Sequence, residues 1–398
     1  MHISLFMSGL SGGGAQRRLL NLARGFVERD HQVDILVGND DGPFRSEVPA
    51  AARLVCLGSR WTQWPLLRHR RGLWVPALMP ALAHFLAGER PEAVLATSTP
   101  ANLTALGARA MAGTATPVVI SVNVHLSGST VGARRSYGAI VRRLVASAYP
   151  HADAIVAISP DIAADLAATA GVARNRIAVI GNPVDREGIE RAAAAPVEHP
   201  WLQPGQPPVV LAVGKLKKQK DFPTLIRAFA RVLHQRPARL IVLGEGEERA
   251  RLQAMVTRMG LSDVVSMPGF VTNPYCWMAR ASVFVLSSAW EGLSNALLEA
   301  LACGCPAVST DCPSGPRNVL ANGTFGPLVP VGDDTAMAEA ILSLLAEPPA
   351  AERLRDRVRA FALDRSTERY LEVLEAASTR CRTAKAIRVA PGPELLEP

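Results

Sequence analysis

Two glutamates and a cluster of lysines are the residues of this chain whose types and spacing point to chemistry. Glu291 and Glu299 stand eight residues apart, and Lys215 and Lys220 belong to a lysine-rich stretch upstream of them. Arginine supplies every fixed positive side-chain charge before Lys215, so the lysines stand out from their background. Ammonium groups can hold a diphosphate, and carboxylates accept hydrogen bonds from hydroxyl groups. The residue types therefore predict a pocket for a negatively charged, hydroxyl-rich ligand.

The lysines lie in a loop between a predicted strand and a predicted helix. Lys215 and Lys220 follow the apolar run 209–213 and precede the amphipathic segment 222–233. In an open α/β sheet such a loop lies at the carboxyl edge of the strands, where ligands bind. A solvated basic loop would account at most for the other two lysines of the stretch.

The glutamates flank the start of a second predicted helix. Glu291 follows the predicted strand 283–286, and Ser294 with Asn295 offers the N-cap residues of a helix that contains Glu299. Free backbone amides and the positive end of the helix dipole would then lie between the two carboxylates. Helix N-termini of this kind bind phosphate groups, which agrees with a diphosphate held by the lysines.

A glycine run follows the first predicted strand and opens the first predicted helix. Gly12, Gly13 and Gly14 allow the backbone to approach a ligand closely, although a tight turn would need glycine as well. The run is not G-x-G-x-x-G, because Arg17 occupies the last glycine position, and it lacks the lysine of a P-loop.

Length and charge limit the class of protein. A chain of 398 residues favours two domains. The net charge of +8 and the pI near 9.5 invite an anionic partner, although arginine-rich genome composition would give the same charge. Only 5% of the residues are aromatic, so no series of stacking side chains for nucleic acid is expected.

Cysteine usage and the N-terminus predict a protein of the cytoplasm. Six cysteines in a chain of this length do not form a disulfide framework, and Cys303 and Cys305 lack the spacing of a zinc site. No D-x-D triplet is present, so we expect no metal at the diphosphate. The N-terminus is typical of a buried strand rather than a signal peptide, and no run approaches the ~20 apolar residues of a membrane span.

Short apolar runs alternate with helical patterns along the whole chain, which predicts α/β architecture with parallel sheets. Strands are predicted at 3–7, 33–37, 93–96, 118–122, 154–158, 179–180, 209–213, 239–243, 264–267, 283–286 and 307–310. Helices are predicted after the glycine run and at 222–233, 247–259, 273–280, 294–302, 335–345 and 350–377. A proline-rich segment separates two halves of similar size.

This pattern predicts two Rossmann-like domains joined by a hinge, with a cleft between them. The predicted divisions are an N-terminal Rossmann-like domain at 1–182, a hinge at 183–208, a C-terminal Rossmann-like domain at 209–360, a C-terminal helix at 361–380 that packs back on the first domain, and a disordered tail at 381–398.

Five motifs follow one another in the second half of the chain. They are GKLKKQKDFPTL from Gly214, GEG from Gly244, GFVTNP from Gly269, EGLSNALLE from Glu291 and PSGPR from Pro313. In this order they resemble the motifs of retaining GT-B glycosyltransferases of family 4, the glycosyl transferases group 1. The resemblance covers about residues 205–345, and the first half agrees more loosely through the glycine run and the GNPVD sequence that starts at Gly181.

The resemblance implies two Rossmann-like domains whose parallel sheets face each other across a cleft, with the acceptor bound by the domain at 1–182 and the nucleotide sugar by the domain at 209–360. It also implies a metal-independent enzyme that transfers a sugar from a nucleotide-diphosphate sugar, its co-substrate, with retention at the anomeric carbon. A UDP-sugar is favoured as donor. The acceptor would be a glycan or lipid-linked molecule in cell-surface polysaccharide or glycolipid synthesis, and no further cofactor is expected.

The resemblance also assigns roles to residues. Glu291 would hold donor-sugar hydroxyls, Glu299 the ribose and Lys220 the diphosphate, whereas Lys215 replaces an arginine common in the family and would make a weaker point contact. The expected donor-binding residues are Gly13, Gly14, Lys215, Lys220, Gly244, Phe270, Val271, Asn273, Gly292, Leu293, Ser294, Asn295 and Glu299.

A histidine of the first domain usually lies near the donor sugar in this family. The segment after the predicted strand 118–122 offers Asn123 and His125, and His125 joins Glu291 and Lys220 as an expected catalytic residue. Asn123 in that role, with a structural His125, remains the alternative.

Cations and tryptophans of the first half of the chain suggest contact with the inner face of an anionic membrane. Up to Asp185 there are 18 arginines against 12 acidic residues, so most of the positive excess lies in this half. Such a mixture suits the headgroup region, although a solvated basic loop would have the same composition. The residues are Arg60, Trp61, Trp64, Arg68, His69, Arg70, Arg71 and Trp74, with Arg134, Arg135, Arg142 and Arg143.

Two other functions agree with parts of the pattern. A GT-B epimerase would act on a nucleotide sugar but would need acid and base groups. The paired glutamates argue against an epimerase. A non-catalytic protein that binds nucleotides or anionic surfaces agrees with the charge alone.

Overall fold

A computed structural model describes residues 1–11, 13–58, 75–126 and 135–389, without the side chains of 135–137 and 384–389. The chain divides into two compact units. Unit 1 comprises Met1–Ile180 together with the chain from Asp364 onward, and unit 2 comprises Gly181–Leu363. Each unit contains one parallel sheet covered by helices, which confirms the predicted α/β fold class.

Unit 1 contains a seven-stranded parallel sheet in the order β3-β2-β1-β4-β5-β6-β7. The strands are β1 His2–Met7, β2 Gln32–Val37, β3 Arg53–Cys56, β4 Ala93–Thr97, β5 Val118–Val122, β6 Ala154–Ala157 and β7 Ile177–Val179. The helices are α1 Gly14–Val27, α2 Met79–Glu89, α3 Thr99–Ala112, α4 Arg135–Ala148 and α5 Pro160–Ala170. Its inner strands are almost continuously apolar, because a parallel sheet is buried on both faces.

Unit 2 contains a six-stranded parallel sheet in the order β10-β9-β8-β11-β12-β13. The strands are β8 Val209–Val213, β9 Arg239–Leu243, β10 Val265–Gly269, β11 Val283–Leu286, β12 Ala307–Thr310 and β13 Leu328–Val329. The helices are α6 Arg186–Ala193, α7 Phe222–Leu233, α8 Arg249–Arg258, α9 Tyr275–Met278, α10 Asn295–Ala302, α11 Pro316–Val319, α12 Asp334–Ala346 and α13 Ala351–Val358. The strand order reverses between β8 and β11, the switch point at which such sheets bind ligands.

The segment predicted as a hinge carries structure of its own. Helix α6 lies within 183–208, and the Asp185 carboxylate caps it by accepting the Gly188 amide at 2.8 Å. The division between the units falls after Ile180, so the whole segment belongs to unit 2.

The C-terminal helices differ from the single helix predicted at 350–377. After α13 the chain forms one 3-10 turn, and α14 then runs from Leu363 to Val389. The break has a tertiary cause, because Val184 pairs with the chain on both sides of Ala362 through backbone hydrogen bonds of 2.9 and 3.1 Å.

Helix α14 belongs to unit 1 from Asp364 onward. Tyr370, Leu371 and Leu374 are buried in the apolar core formed by α1 and the first strands. The helix continues through 381–389, where a disordered tail was predicted, because glycine and proline are absent until Pro391. Residues 390–398 lie outside the described residues.

No helix in the described part of the chain is long and apolar enough to span a bilayer.

Candidate functional site

A lysine and a glutamate meet at the switch point of unit 2. Lys220 Nζ lies 2.6 Å from Glu291 Oε1, and the Ser288 hydroxyl donates to the same oxygen at 2.6 Å. The Lys220 and Glu291 side chains are only 18% and 8% exposed. They come from the loops after β8 and β11, which are neighbouring strands. The structure thus joins two of the three residues that the sequence predicts to be catalytic.

The backbone around Lys220 is tied to the same neighbouring loop. Ser287 donates its hydroxyl to the Lys220 carbonyl at 2.7 Å, and the Ala289 amide donates to the Gln219 carbonyl at 2.8 Å. The ammonium group is therefore positioned by its own backbone as well as by its carboxylate partner. Lys215, in contrast, is exposed on the loop that follows β8.

Gly244 serves the packing of these loops. It has a φ of +138°, and a Cβ there would lie 2.0 Å from the Gly214 carbonyl oxygen. The close approach of two backbone segments is enough to require glycine here. Packing alone therefore explains why residue 244 is a glycine, whether or not it contacts a ligand.

The start of α10 differs from the capping arrangement that the sequence predicts. Ser294 stands at the N-cap position but makes no side-chain capping hydrogen bond. Its hydroxyl is buried and has no hydrogen-bond partner in the described ranges. Asn295 instead accepts the side-chain amide of Asn182 at 2.5 Å. A buried hydroxyl without a partner is rare in proteins, so an oxygen-rich ligand at this helix start would satisfy it.

Glu299 lies half-buried in α10, one turn beyond the residues of the helix start. The second predicted glutamate is therefore on the same element as Ser294 and Asn295. Gly292 and Leu293 are buried in the turn that links Glu291 to this helix.

The segment after β10 offers an exposed aromatic side chain. Phe270 is 51% exposed at the carboxyl edge of the sheet, and Val271 beside it is half-buried. The Asn273 side chain donates to the Ala192 carbonyl at 2.8 Å and accepts the Tyr275 amide at 3.1 Å. Asn273 therefore holds α6 against this segment with the groups that a ligand would otherwise use.

Both candidates for the catalytic residue of unit 1 follow β5. Asn123 donates to the Thr97 hydroxyl at 2.7 Å. His125 Nδ1 lies 3.8 Å from an Asp165 oxygen, and His125 Nε2 is buried with no partner within the described residues. Asn123 is thus committed to the sheet edge, whereas His125 has one ring nitrogen available.

Sequence reasoning missed a buried cation near the same edge of unit 1. Arg18 is 1% exposed and donates to the Thr97 and Tyr370 hydroxyls at 2.6 and 3.4 Å. Burial lowers the pKa of its guanidinium. Gly13 and Gly14 open the helix that carries Arg18, and Gly12 lies outside the described residues. An arginine next to Leu19 on an apolar helix face was the available signal.

Cys312 was also missed as a neighbour of the unit 2 site. Burial and the nearby Glu291 carboxylate raise the pKa of its thiol to about 12. The thiol therefore stays protonated at neutral pH. No group of three or more metal-ligating side chains occurs within the described parts of the chain.

Most residues of the predicted membrane contact lie outside the described residues. Residues 60–74 and Arg134 lie outside the described residues, and the side chain of Arg135 is not described. Arg142 and Arg143 are exposed on α4.

Two sequence models of protein families match consecutive parts of the chain. The model described as Glycosyl transferases group 1 matches residues 198–361. The model described as Glycosyltransferase Family 4 matches residues 12–187.

Individual relatives agree with these matches. The chain is 28% identical, over 91% of its length and 96% of the other protein, to the N-acetylgalactosamine-N,N'-diacetylbacillosaminyl-diphospho-undecaprenol 4-alpha-N-acetylgalactosaminyltransferase of Campylobacter jejuni. It is 36% identical to the lipopolysaccharide core biosynthesis glycosyltransferase LpsE of Rhizobium meliloti over 43% of this chain and 51% of that protein. The solved structure of Anabaena HepE in complex with UDP has the same fold, with a TM-score of 0.71 and 19% identity over 94% of this chain and all of that one.

Proposed function

Because the chain belongs to the glycosyl transferases group 1 and has the GT-B fold, we propose that it transfers a sugar from a UDP-sugar, with retention and without a metal ion. The acceptor is a glycan or a lipid-linked molecule of cell-surface polysaccharide or glycolipid synthesis. The Campylobacter relative supports this acceptor class, because its name specifies a diphospho-undecaprenol acceptor. HepE supports UDP, which it binds in its solved structure.

The observation that carries the proposal is the Lys220–Glu291 pair beside the start of α10. The pair supplies one cation for a diphosphate and one acceptor for sugar hydroxyls within 2.6 Å of each other. The Ser294 hydroxyl, which has no hydrogen-bond partner among the described residues, adds a polar atom at the helix start that a phosphate oxygen would satisfy. In this arrangement Glu299 on α10 accepts the ribose hydroxyls, and the exposed Phe270 lies beside the base.

Lys220 stabilises the charge that develops on the leaving diphosphate. The departing phosphate oxygen helps to deprotonate the acceptor hydroxyl, which attacks from the same face of the sugar. Glu291 orients the donor sugar through its hydroxyls, so that the reacting carbon is held for this attack. His125 is the proposed catalytic residue of unit 1, because its Nε2 has no partner in the described ranges, whereas Asn123 is bound to Thr97.

A donor screen followed by an activity assay tests this function. Thermal shift against UDP, GDP, ADP and TDP should give the largest stabilisation with UDP. Each matching sugar nucleotide is then incubated with the protein, with and without acceptor, and NMR reads the anomeric configuration of the product. An epimerised donor would instead indicate an epimerase, and binding without turnover would indicate a non-catalytic nucleotide-binding protein.

Helix α4 supports reversible contact with an anionic membrane that carries the acceptor. Ile140 and Leu144 are 55% and 52% exposed and stand four residues apart, on one side of the helix. Arg143 lies between them in sequence, next to Arg142. Exposed apolar side chains beside cations suit the headgroup region of a membrane. Each basic residue near an anionic surface contributes about 1 kcal/mol to the binding free energy.

Liposome sedimentation tests the membrane contact. Binding should need anionic lipid, weaken with salt, and fall when Arg142 and Arg143 become Ser or Ile140 and Leu144 become Ser. Met259→Ser is the control, because Met259 is an exposed apolar residue of unit 2. Equal sedimentation with neutral and anionic vesicles would favour a soluble acceptor.

A further inference from the structure

The turn between β11 and α10 is held by side chains from several elements. Two hydroxyls donate to its backbone carbonyls, Thr310 to Ser288 at 2.6 Å and Ser314 to Gly292 at 2.9 Å. Two side-chain amides do the same, Gln219 to Trp290 at 2.9 Å and Asn182 to Leu293 at 3.2 Å. Loops usually satisfy such carbonyls with water. Here the backbone that carries Glu291 is bound on both sides of that residue, at Trp290 and at Gly292.

Ser314 makes its hydrogen bond from a strained conformation. Its backbone φ is +69°, a left-handed conformation that residues other than glycine and asparagine rarely adopt. The Ser314 hydroxyl is 2.9 Å from the Gly292 carbonyl oxygen, and the residue is 5% exposed. Glycine at 314 would relieve the strain but would leave that buried carbonyl without this donor.

Gly315 brings the same loop against the turn. Its φ is +79°, and a Cβ there would lie 2.1 Å from the Gly292 carbonyl oxygen. The two consecutive left-handed residues therefore place the chain after β12 in direct contact with the residue that follows Glu291. Strain that persists at a functional site indicates a use for that conformation.

We propose that Ser314 is a positioning residue for Glu291. Its hydroxyl fixes the Gly292 carbonyl, and this fixes the backbone from which the Glu291 carboxylate reaches Lys220. The inference rests on the proposed function, because it assigns the fixed carboxylate to the donor sugar. Ser314 donates to the turn and is not among the expected donor-binding residues, so its loss should lower turnover while affinity for UDP is kept.

Three variants separate positioning from simple stability. Ser314→Gly relieves the strain and removes the hydroxyl. Ser314→Asn tolerates the left-handed conformation and keeps a donor. Ala321→Gly is the matched control, because Ala321 is a strained residue of the same unit, with φ +47°, outside the donor site.

The measurements are melting temperature, UDP affinity by calorimetry, turnover of the UDP-sugar, and hydrogen exchange of the amides of 289–294. For Ser314→Gly we expect an unchanged or higher melting temperature and a UDP Kd within about twofold, but turnover lower by about tenfold or more, since small misplacements of reacting groups are costly. Exchange should become faster across 289–294. Ser314→Asn should recover much of the turnover, and Ala321→Gly should alter neither turnover nor this exchange.

Turnover of Ser314→Gly within twofold of wild type, or unchanged exchange across 289–294, would overturn the inference. Loss of UDP affinity in proportion to turnover would also overturn it, since the effect would then extend beyond the sugar. If wild type neither binds nor turns over any sugar nucleotide, the proposed function fails, whatever the exchange of Ser314→Gly shows. The exchange measurement distinguishes this case, because it reports whether Ser314 holds the turn without any ligand.

Discussion

Lys220 Nζ and Glu291 Oε1 lie 2.6 Å apart, although the residues are 71 positions apart in the chain. Parallel strands β8 and β11 bring their loops together, and both side chains are largely shielded from water. A phosphate group at this point would share Lys220 with Glu291. Each residue is therefore expected to bind the donor and also to neutralise the charge of the other. Substitutions must distinguish these two roles.

Lys220→Ala should lower turnover by roughly a hundredfold or more, because it removes a charge directed at the leaving diphosphate. Lys217→Ala is the control, since Lys217 is an exposed lysine of the same loop. Steady-state kinetics with the preferred UDP-sugar measures the change, and circular dichroism checks the fold. Turnover within a few-fold of wild type in a folded Lys220→Ala protein would contradict the assigned role.

Glu291→Ala and Glu299→Ala should have different effects. Loss of Glu299 should weaken binding of free UDP by about 1–3 kcal/mol, because the ribose hydroxyls lose their carboxylate acceptor. Loss of Glu291 should lower sugar transfer while the affinity for free UDP stays nearly normal. Isothermal calorimetry with UDP, paired with turnover, reads both effects, and the reverse order would exchange the two assignments.

Activity should survive EDTA, because Lys220 and the start of α10 supply the positive charge that a diphosphate needs. Turnover is measured before and after chelation, and again after manganese or magnesium is added. Complete loss that either ion restores would show that a metal neutralises the diphosphate.

The strands of the sheets could largely be predicted from the sequence, for a physical reason. Five predicted strands, at 118–122, 209–213, 239–243, 283–286 and 307–310, have the same bounds in the structure. Strands buried on both faces require continuous apolar runs, which stand out in a sequence. β3 and β13 were missed because an edge strand that begins with Arg53 and a strand of two residues lack such a run.

The candidate site was predictable only in part. Lys220 and Glu291 could be brought together because the carboxyl ends of parallel strands share one sheet edge. The contact between Ser314 and Gly292 depends on two left-handed residues, and nothing in local sequence predicts that conformation for a serine. Ser294 occupies the predicted N-cap position, but its hydroxyl is buried without a partner among the described residues and does not reach a first-turn amide.

Arg18→Met should leave the free energy of unfolding within about 1 kcal/mol of wild type, or raise it. Arg18 is buried, and no carboxylate is among its described partners, so the desolvation of its charge opposes folding. Methionine fills a similar volume without that cost. Urea unfolding measures the difference, and a loss of more than about 2 kcal/mol would show that the hydrogen bonds to Thr97 and Tyr370 outweigh desolvation.

Asp34 should make unit 1 sensitive to acid. Its carboxylate is fully buried and binds Arg53 at 2.7 and 2.9 Å and His2 at 2.6 Å. Burial alone would raise the pKa of Asp34, but the hydrogen bonds from Arg53 and His2 outweigh it and hold that pKa below its usual value. A carboxylate of this kind stabilises the fold at pH values above its unfolded pKa, and the contribution is lost as the pH falls through its folded pKa.

Asp34→Asn should therefore lower the free energy of unfolding at pH 7 by about 1–3 kcal/mol. We expect no larger loss, because Arg53 is half exposed and solvent screens its charge. The difference from wild type should shrink below the ordinary aspartate pKa, as the wild-type carboxylate loses its advantage. Asp40→Asn is the matched control, because Asp40 pairs with Arg45 at the surface, and it should change stability by less than about 0.5 kcal/mol. Urea unfolding at pH 7 and at pH values below about 4 measures both variants. A difference for Asp34→Asn that stays constant over this range would show that the buried carboxylate stabilises unit 1 by packing and not by its charge.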